Sequence, residues 1–355
     1  MNLYLDNIIY FLQRSGGVSV YWTELIARIV KENTTFFEQR KNSDNICRPQ
    51  LDLSNIIYED ALPLPVVRYL PLTKKIEGSG IFHSSYYRIS NQASISNIVT
   101  VHDFTYEHYI KGLARIVHST QKRYAVSKAA GIICISENTR KDLLNIIPSA
   151  AKTAIKVIPN GVSDDYFRLD KQQVAMPEKF QPFLDKKIIL YVGHRTVYKN
   201  FPVAVETVAR LGKDYTLAIV GAPLNPEEEQ LLNSQIPGQY LTFGRLCNEE
   251  LNWAYNLAYC FLYPSSYEGF GIPLLEAMRA GCPVVSTALS SIPEVTGTAA
   301  LLSADIHPDA FASRIKMLQS DTMRKELMDA GLDRSRQYSW QRCYEEVLDF
   351  YDNFK

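Results

Sequence analysis

The stretch "CFLYPSSYEGFGIPLLEAMRAGCPVVST", Cys260 to Thr287, contains a complete strand–helix–strand unit. "CFLYPS" and "CPVVST" are continuously apolar rather than alternating, the pattern of parallel strands buried on both faces. Between them "PLLEAMRAGCP" carries its own punctuation: Pro273 suits the first helical position, Gly281 the position past the end, and Pro283 follows. Upstream from about residue 80 the same alternation continues through "GIFHS", "NIVTVHD", "GIICIS", "IKVIPN", "KIILYVG", "YTLAIVG" and "YLTFG"; downstream it ends with "AALLS". Helical patterns over 200–211, 226–236, 248–258 and 273–280 separate the later strands. Such alternation predicts doubly wound parallel sheets.

One break interrupts it. Ser163 to Lys187 is polar, holds two prolines and keeps no period, so it reads as a joint between two α/β units. The expected division is 1–165, a linker over 166–180, a second unit over 181–338, and an amphipathic helix over 339–355. In that tail Trp340, Tyr344, Val347, Leu348 and Tyr351 recur at helical spacing. Residues 34–75 show little clear βα pattern.

The chain has 355 residues, long enough for two cores, with 38 basic and 38 acidic side chains. That balance gives no bulk field for nucleic acid, although a sum is not a map and a local basic face stays open. The six cysteines are scattered, several within apolar runs, which fits a reducing compartment rather than a disulfide framework. "MNLYLDNIIYFLQRSGG" lacks a basic leader, and Asp6 and Asn7 interrupt it, so it reads as a first strand. No apolar run is long enough to span a bilayer, and no broad basic amphipathic helix stands out. The expected location is cytoplasmic, with peripheral contact at the inner face of the membrane left open.

Two acids, Glu268 and Glu276, flank the Gly-Phe-Gly turn. Glu276 is expected in the first helical turn, where the dipole favours a negative charge and acids are ordinary. The glycine-bearing loop aims backbone amides at the same helix end, a place that binds phosphate. Leu274 stands where a dinucleotide fingerprint needs its third glycine, which weakens a nicotinamide reading. A second stretch, "ILYVGHRTVYKN", runs from a strand through Gly193 into a loop with Arg195 and Lys199. Ligands of open α/β sheets bind at the C-terminal strand ends, so both loops should share one rim. Separately, these are a common helix-end acid and surface cations. Together they suit a sugar diphosphate, with carboxylates on hydroxyls and cations on the diphosphate.

With these residues in hand the chain resembles the retaining GT-B glycosyltransferases of the "group 1" family. Six pieces occur in the family's order: "RSGGVSVY", "VHD", "ISENTRKDL", "VIPNGV", "YVGHRTVYKN", and the E-x7-E motif "EGFGIPLLE". The resemblance implies two facing Rossmann-like domains, the donor bound mainly by the second and the acceptor mainly by the first; the C-terminal helix is left either capping the second or crossing back to the first. It implies that Arg195 and Lys199 hold the diphosphate, that Glu268 contacts the transferred sugar and Glu276 the ribose. Backbone around Gly193, Gly269, Phe270, Gly271 and Ile272 would line the donor, Gly16 and Gly17 would let the N-terminal loop approach it, and Arg245 and Leu246 would flank the base. His102 would meet the sugar near the reacting centre, with Asp103 beside it. His102 and His108 lack further placed ligands, so no metal is expected.

The implied reaction moves a hexose from a nucleotide sugar to a hydroxyl of a glycan or lipid-linked acceptor in surface polysaccharide biosynthesis. By family frequency mannose from GDP-mannose comes first, with UDP-linked glucose or galactose next, and no cofactor beyond the donor. Glu268 stands either as a nucleophile or as a ground-state hydroxyl contact. Two rivals remain: a sugar-nucleotide epimerase of the same fold, and a non-catalytic nucleotide-binding scaffold. The residues do not address oligomeric state.

Overall fold

Each apolar run named above falls on a strand in the computed structural model, which describes residues 1–29, 33–40, 42–59, 63–170 and 176–354. The chain divides into two units, Met1–Gly161 with Trp340–Lys355, and Val162–Ser339.

Among the described residues the first unit holds a seven-stranded sheet: β1 (Leu3–Asp6), β2 (Thr34–Gln39), β3 (Ile56–Glu59), β4 (Gly80–Ser84), β5 (Ile95–Val101), β6 (Gly131–Cys134) and β7 (Ala154–Val157). The order is β3-β2-β1-β4-β5-β6-β7, with every pairing parallel. Strands β2 and β3 correct the expectation for residues 34–75, which lacked a visible pattern. The reason is polar burial: Glu38 at the end of β2 accepts from Arg48 at 2.7 Å and Asn7 at 2.8 Å. β3, at the sheet edge, leaves Ile57 and Tyr58 exposed and buries Glu59 instead. Fully buried Arg88 binds Glu59 through two nitrogens, at 2.7 and 2.9 Å, and Asp6 at 3.1 Å.

Helix Trp340–Tyr351 belongs to this first unit and buries Trp340, Cys343, Val347, Phe350 and Tyr351. It packs on helix Gly17–Arg28, where the rings of Trp340 and Tyr21 lie 6.3 Å apart. The Tyr351 hydroxyl meets His83 Nδ1 at 2.6 Å, and burial holds that imidazole down at about 3. The Phe354 ring lies where a side chain on Gly131 would project: a Cβ there would come within 2.6 Å of Phe354 Cζ.

In the second unit β8 (Lys187–Val192), β9 (Tyr215–Val220), β10 (Tyr240–Thr242), β11 (Cys260–Tyr263), β12 (Val284–Thr287) and β13 (Ala300–Ser303) form a six-stranded sheet among the described residues. Its order, β10-β9-β8-β11-β12-β13, is again all parallel. Helix Phe201–Leu211 lays Phe201, Ala204, Val205 and Val208 on the sheet beside Ile189, Tyr191 and Leu217. Part of the stretch read as a linker is tied to helix Asn248–Leu257. Asn252 and Asn256 of that helix accept from the backbone amides of Phe167 and Leu169 at 3.1 and 2.8 Å. Residues 171–175 of that stretch lie outside the described residues.

Candidate active site

In the second sheet the strand order reverses between β8 and β11, and the crevice beyond their C-terminal ends is where such sheets bind ligands. The loop after β8 carries Gly193 to Asn200, and the loop after β11 carries Pro264 to Gly271. They are stitched together. The Ser266 amide donates to the Tyr198 carbonyl at 2.7 Å. Asn200, in the left-handed region at φ 50°, sends its amide to the Pro264 carbonyl at 2.8 Å and to Ser266 Oγ at 2.7 Å. That conformation suits Asn better than most residues, because its short side chain bonds locally.

Across this seam Lys199 Nζ donates to Glu268 Oε1 at 2.8 Å and to the Tyr263 hydroxyl at 2.7 Å. Both charged side chains are nearly buried, 13% and 12% exposed. Glu268 is held from behind as well: its amide donates to Ser290 Oγ, and its carbonyl accepts from Ser291 Oγ, each at 2.9 Å.

Arg195 takes a different partner. Its Nε donates to Glu228 Oε1 at 2.7 Å, and Nη2 donates to the carbonyls of Ala222 and Pro223 at 2.9 and 2.7 Å. Nη1 is buried without a protein partner among the described residues. It lies against Gly221, where φ is +156° and a Cβ would come within 2.5 Å of the Gly193 carbonyl, so only glycine fits there. Half-exposed His194 has its pKa lowered, first by burial and then by the charges of Lys199, Arg245 and Arg195. Arg245 itself is exposed and Leu246 half-buried.

Glu276 requires a correction. Gly271, at φ 103°, caps the helix, and Ile272 with Pro273 opens it, so Glu276 falls in the second turn rather than the first. Its hydrogen-bond partner is an aromatic hydroxyl: Tyr255 donates at 3.2 Å, while the Tyr166 hydroxyl donates to Asn248 Oδ1 at 3.2 Å. Burial pushes the carboxyl up to about 7, against the pull of those two hydroxyls. Phe270 does not face the loop's opening; its ring is buried and packs edge-on against Tyr338 at 5.7 Å. Gly269 and Gly271 therefore leave backbone at the turn, with the Phe270 carbonyl accepting from Ser291 Oγ at 2.9 Å.

In the first unit Gly16 and Gly17 follow β1 and open helix Gly17–Arg28, which has no side-chain cap at its N-terminus. Nothing lies within 4 Å of where a Gly17 Cβ would stand. His102, just past β5, meets Tyr21 edge-on at 5.0 Å, and burial lowers its pKa to about 4. Asp103 Oδ1 accepts from the Thr105 amide at 2.9 Å, and its carbonyl accepts from Lys122 Nζ at 2.8 Å. His108 pairs with Asp142 at 3.5 Å. Among the described residues no group of three or more His, Cys, Asp or Glu is arranged to hold a metal ion.

Sequence reading missed the supports. Tyr263, Tyr255, Tyr166 and Glu228 lie far along the chain from the residues they hold. Tyr263 alone had a local signal, as the last residue of a strand ending at the rim.

Two doubly wound parallel α/β units, with a charged seam at the switch point of the second, define the GT-B class of architecture. Residues 173–333 match the family model "Glycosyl transferases group 1". It is 27% identical over 268 residues to O-antigen chain mannosyltransferase B of Escherichia coli, covering 72% of this chain and 69% of the relative. Its fold matches sucrose-phosphate synthase from Thermosynechococcus elongatus with a TM-score of 0.76 at 19% identity, over 100% of this chain and 99% of the other. It also matches Anabaena HepE, solved in complex with UDP-glucose, with a TM-score of 0.75 at 14% identity, over 99% of this chain and 100% of the other.

Proposed function

We propose that the protein transfers a hexosyl unit from a nucleotide sugar to a hydroxyl of a glycan or lipid-linked acceptor, with retention at the anomeric carbon. The observation that carries this reading is the Lys199–Glu268 contact at 2.8 Å, spanning the switch point of the second sheet. A cation and an acceptor-only carboxylate in contact at a strand-end crevice suit a ligand with phosphate and hydroxyls side by side. The Arg195 Nη1, which has no protein partner among the described residues, supplies a second donor for a phosphate oxygen. GDP-mannose is the first choice of donor, and support for its mannose comes from the relative that is a mannosyltransferase. The structural neighbour solved with UDP-glucose keeps a UDP-linked donor as the second choice.

As the bond from the anomeric carbon to the phosphate oxygen breaks, negative charge grows on the diphosphate. Lys199 and Arg195 are placed to offset it, and such help is greatest in the transition state. Glu268 already gives one oxygen to Lys199, which makes it a poor nucleophile and a good acceptor for a sugar hydroxyl. Retention then follows from a front-side route: the departing phosphate oxygen takes the proton of the acceptor hydroxyl, while that hydroxyl oxygen bonds to the anomeric carbon on the same face. His102, neutral above about pH 4, serves this scheme as a hydrogen-bonding group to a substrate hydroxyl, not as a base. The backbone from Gly269 to Ile272, at the start of its helix, is assigned to the donor.

Lys199→Ala should lower turnover roughly 10²-fold or more while nucleotide affinity falls less. Turnover at the wild-type rate would remove the diphosphate assignment. A thermal-shift screen with GDP, UDP, ADP and TDP identifies the base, because a specific binder stabilises by mass action. Incubation with donor alone separates a transferase from an epimerase, and failure to turn over across a donor and acceptor panel would leave a binding scaffold.

A further inference from the structure

A two-lobed cleft opens on the first sheet beside its switch point. The strand order reverses between β1 and β4, whereas the cleft lies beyond the C-terminal ends of β1 and β2. One lobe, of about 530 Å³, is lined by Gln13, Arg14 and Asp44. The other, of about 630 Å³, is lined by Arg40 and Tyr58, and Phe11 with Asn42 borders both. Hydrogen bonds fix its walls. Asn45 Nδ2 donates to the Gln13 carbonyl at 2.8 Å and the Ile46 amide to the Arg14 carbonyl at 3.0 Å, which latches the loop after β2 onto the loop after β1. Pre-formed concave sites of this size are where small ligands bind.

The lining is rich in donors that lack acceptors. Gln13 Nε2 is buried with no partner among the described residues, a costly state for an amide. Its side chain fills the room that anything larger than glycine would need at position 16: a Gly16 Cβ would come within 2.9 Å of Gln13 Oε1. Arg14 and Arg40 are exposed, and neither has an ion pair among the described residues. Glu38 in the second lobe is committed to Arg48, at 2.7 and 3.2 Å, so among the lining acids only Asp44 opposes those two guanidinium groups. Each lobe pairs a ring with a guanidinium: Phe11 with Arg14, and Tyr58, 45% exposed, with Arg40. Rings take the C–H face of a pyranose, amides its hydroxyls, and guanidinium forks a carboxylate. The same equipment twice suits two successive sugars of a chain. Strands lie about 4.8 Å apart, so the β1–β2 gap is about 12 Å across the sheet from β5, past which His102 stands. A ligand that reaches both is longer than one sugar.

We propose that this cleft holds an internal, acidic segment of the acceptor glycan, with carboxylates of two successive sugars on Arg14 and Arg40. The proposal rests on the transferase reading above and names its acceptor as a glycan chain containing acidic sugars. Titration calorimetry with trigalacturonate, trimannuronate, mannotriose and free galacturonate tests it. At least one acidic trisaccharide should bind, with an affinity that falls as salt rises, and mannotriose and galacturonate should bind at least about 10-fold more weakly. Arg14→Gln with Arg40→Gln should weaken the acidic trisaccharide at least about 10-fold, and Tyr58→Ser should weaken it too. All three side chains are exposed, so the melting temperature should hold in both variants. No binding of either acidic trisaccharide, equal binding of mannotriose, or full binding by the double variant overturns the proposal. The transferase reading is judged apart, by the nucleotide thermal shift and by donor turnover, so the failure of one is distinguishable from the failure of the other.

Discussion

Replacing Glu276 by Gln should stabilise the ligand-free protein and weaken its grip on a nucleotide, both in a pH-dependent way. The folded carboxyl sits at about 7 against an ordinary 4.5, so between those values the folded state keeps a proton that the unfolded chain has lost. Its contribution is therefore fully present below about pH 4.5 and disappears as pH rises through about 7; above that the protein carries an ionised carboxylate in a poorly solvated place. The shift corresponds to at most about 3 kcal/mol. Glu276 is only partly buried by surface, so solvent screening trims that to about 1–2 kcal/mol. Gln keeps the shape and the acceptor for Tyr255 but never ionises. The variant should melt a few degrees above wild type at pH 8 and level with it at pH 5. Nucleoside diphosphate binding should move the other way. On the proposal that Glu276 accepts from a ribose hydroxyl, that contact rewards the ionised carboxylate by roughly 1.5–3 kcal/mol, so the variant should bind about 10- to 100-fold more weakly at pH 8 and nearly as well at pH 6. The ligand's terminal phosphate titrates nearby, so the readout is the difference between the two proteins by calorimetry across pH. A difference in melting temperature that stays flat with pH would refute the buried-carboxylate reasoning. Equal affinities at pH 8 would remove the ribose contact.

Three other perturbations read different parts of the molecule. Arg195→Ala strips Glu228, whose side chain is 14% exposed, of its ion pair and frees two carbonyls, so it should cost about 2–4 kcal/mol in urea unfolding as well as activity; unchanged stability would show that Arg195 serves only the ligand. Arg88→Met leaves Asp6 and Glu59 facing each other in the core and should cost about 3–5 kcal/mol, a figure that a loss below about 1 kcal/mol would contradict. Gly131→Ala drives a methyl into Phe354 and Ile98 and should cost about 1–3 kcal/mol, part of which Phe354→Leu should restore.

How much of this was legible in the sequence depends on where each residue finds its partner. Strands β4 to β13 announced themselves because their burial is apolar, and period and punctuation carry that information locally. β2 and β3 did not, since Glu38 and Glu59 are buried only by courtesy of Arg48 and Arg88, which come later in the chain. The Lys199 and Glu268 loops were placed on one rim from strand-end reasoning, and the structure joins them directly. The Arg195–Glu228 pair was invisible, because a cation in a loop and an acid in a later helix have no spacing rule to connect them. Glu276 missed its turn through a single glycine: Gly271 can adopt φ 103°, so the helix begins before the proline that marked it.

The first unit is built from two pieces of chain, with the second unit running uninterrupted between them. During synthesis the second unit is therefore available in full before Trp340 appears, whereas the first must wait with its helix Gly17–Arg28 uncovered and His83 lacking the Tyr351 hydroxyl. A released chain truncated after Ser339 should hold a protease-resistant second unit beside a protease-sensitive first. The late arrival of one helix places completion of the first unit after that of the second.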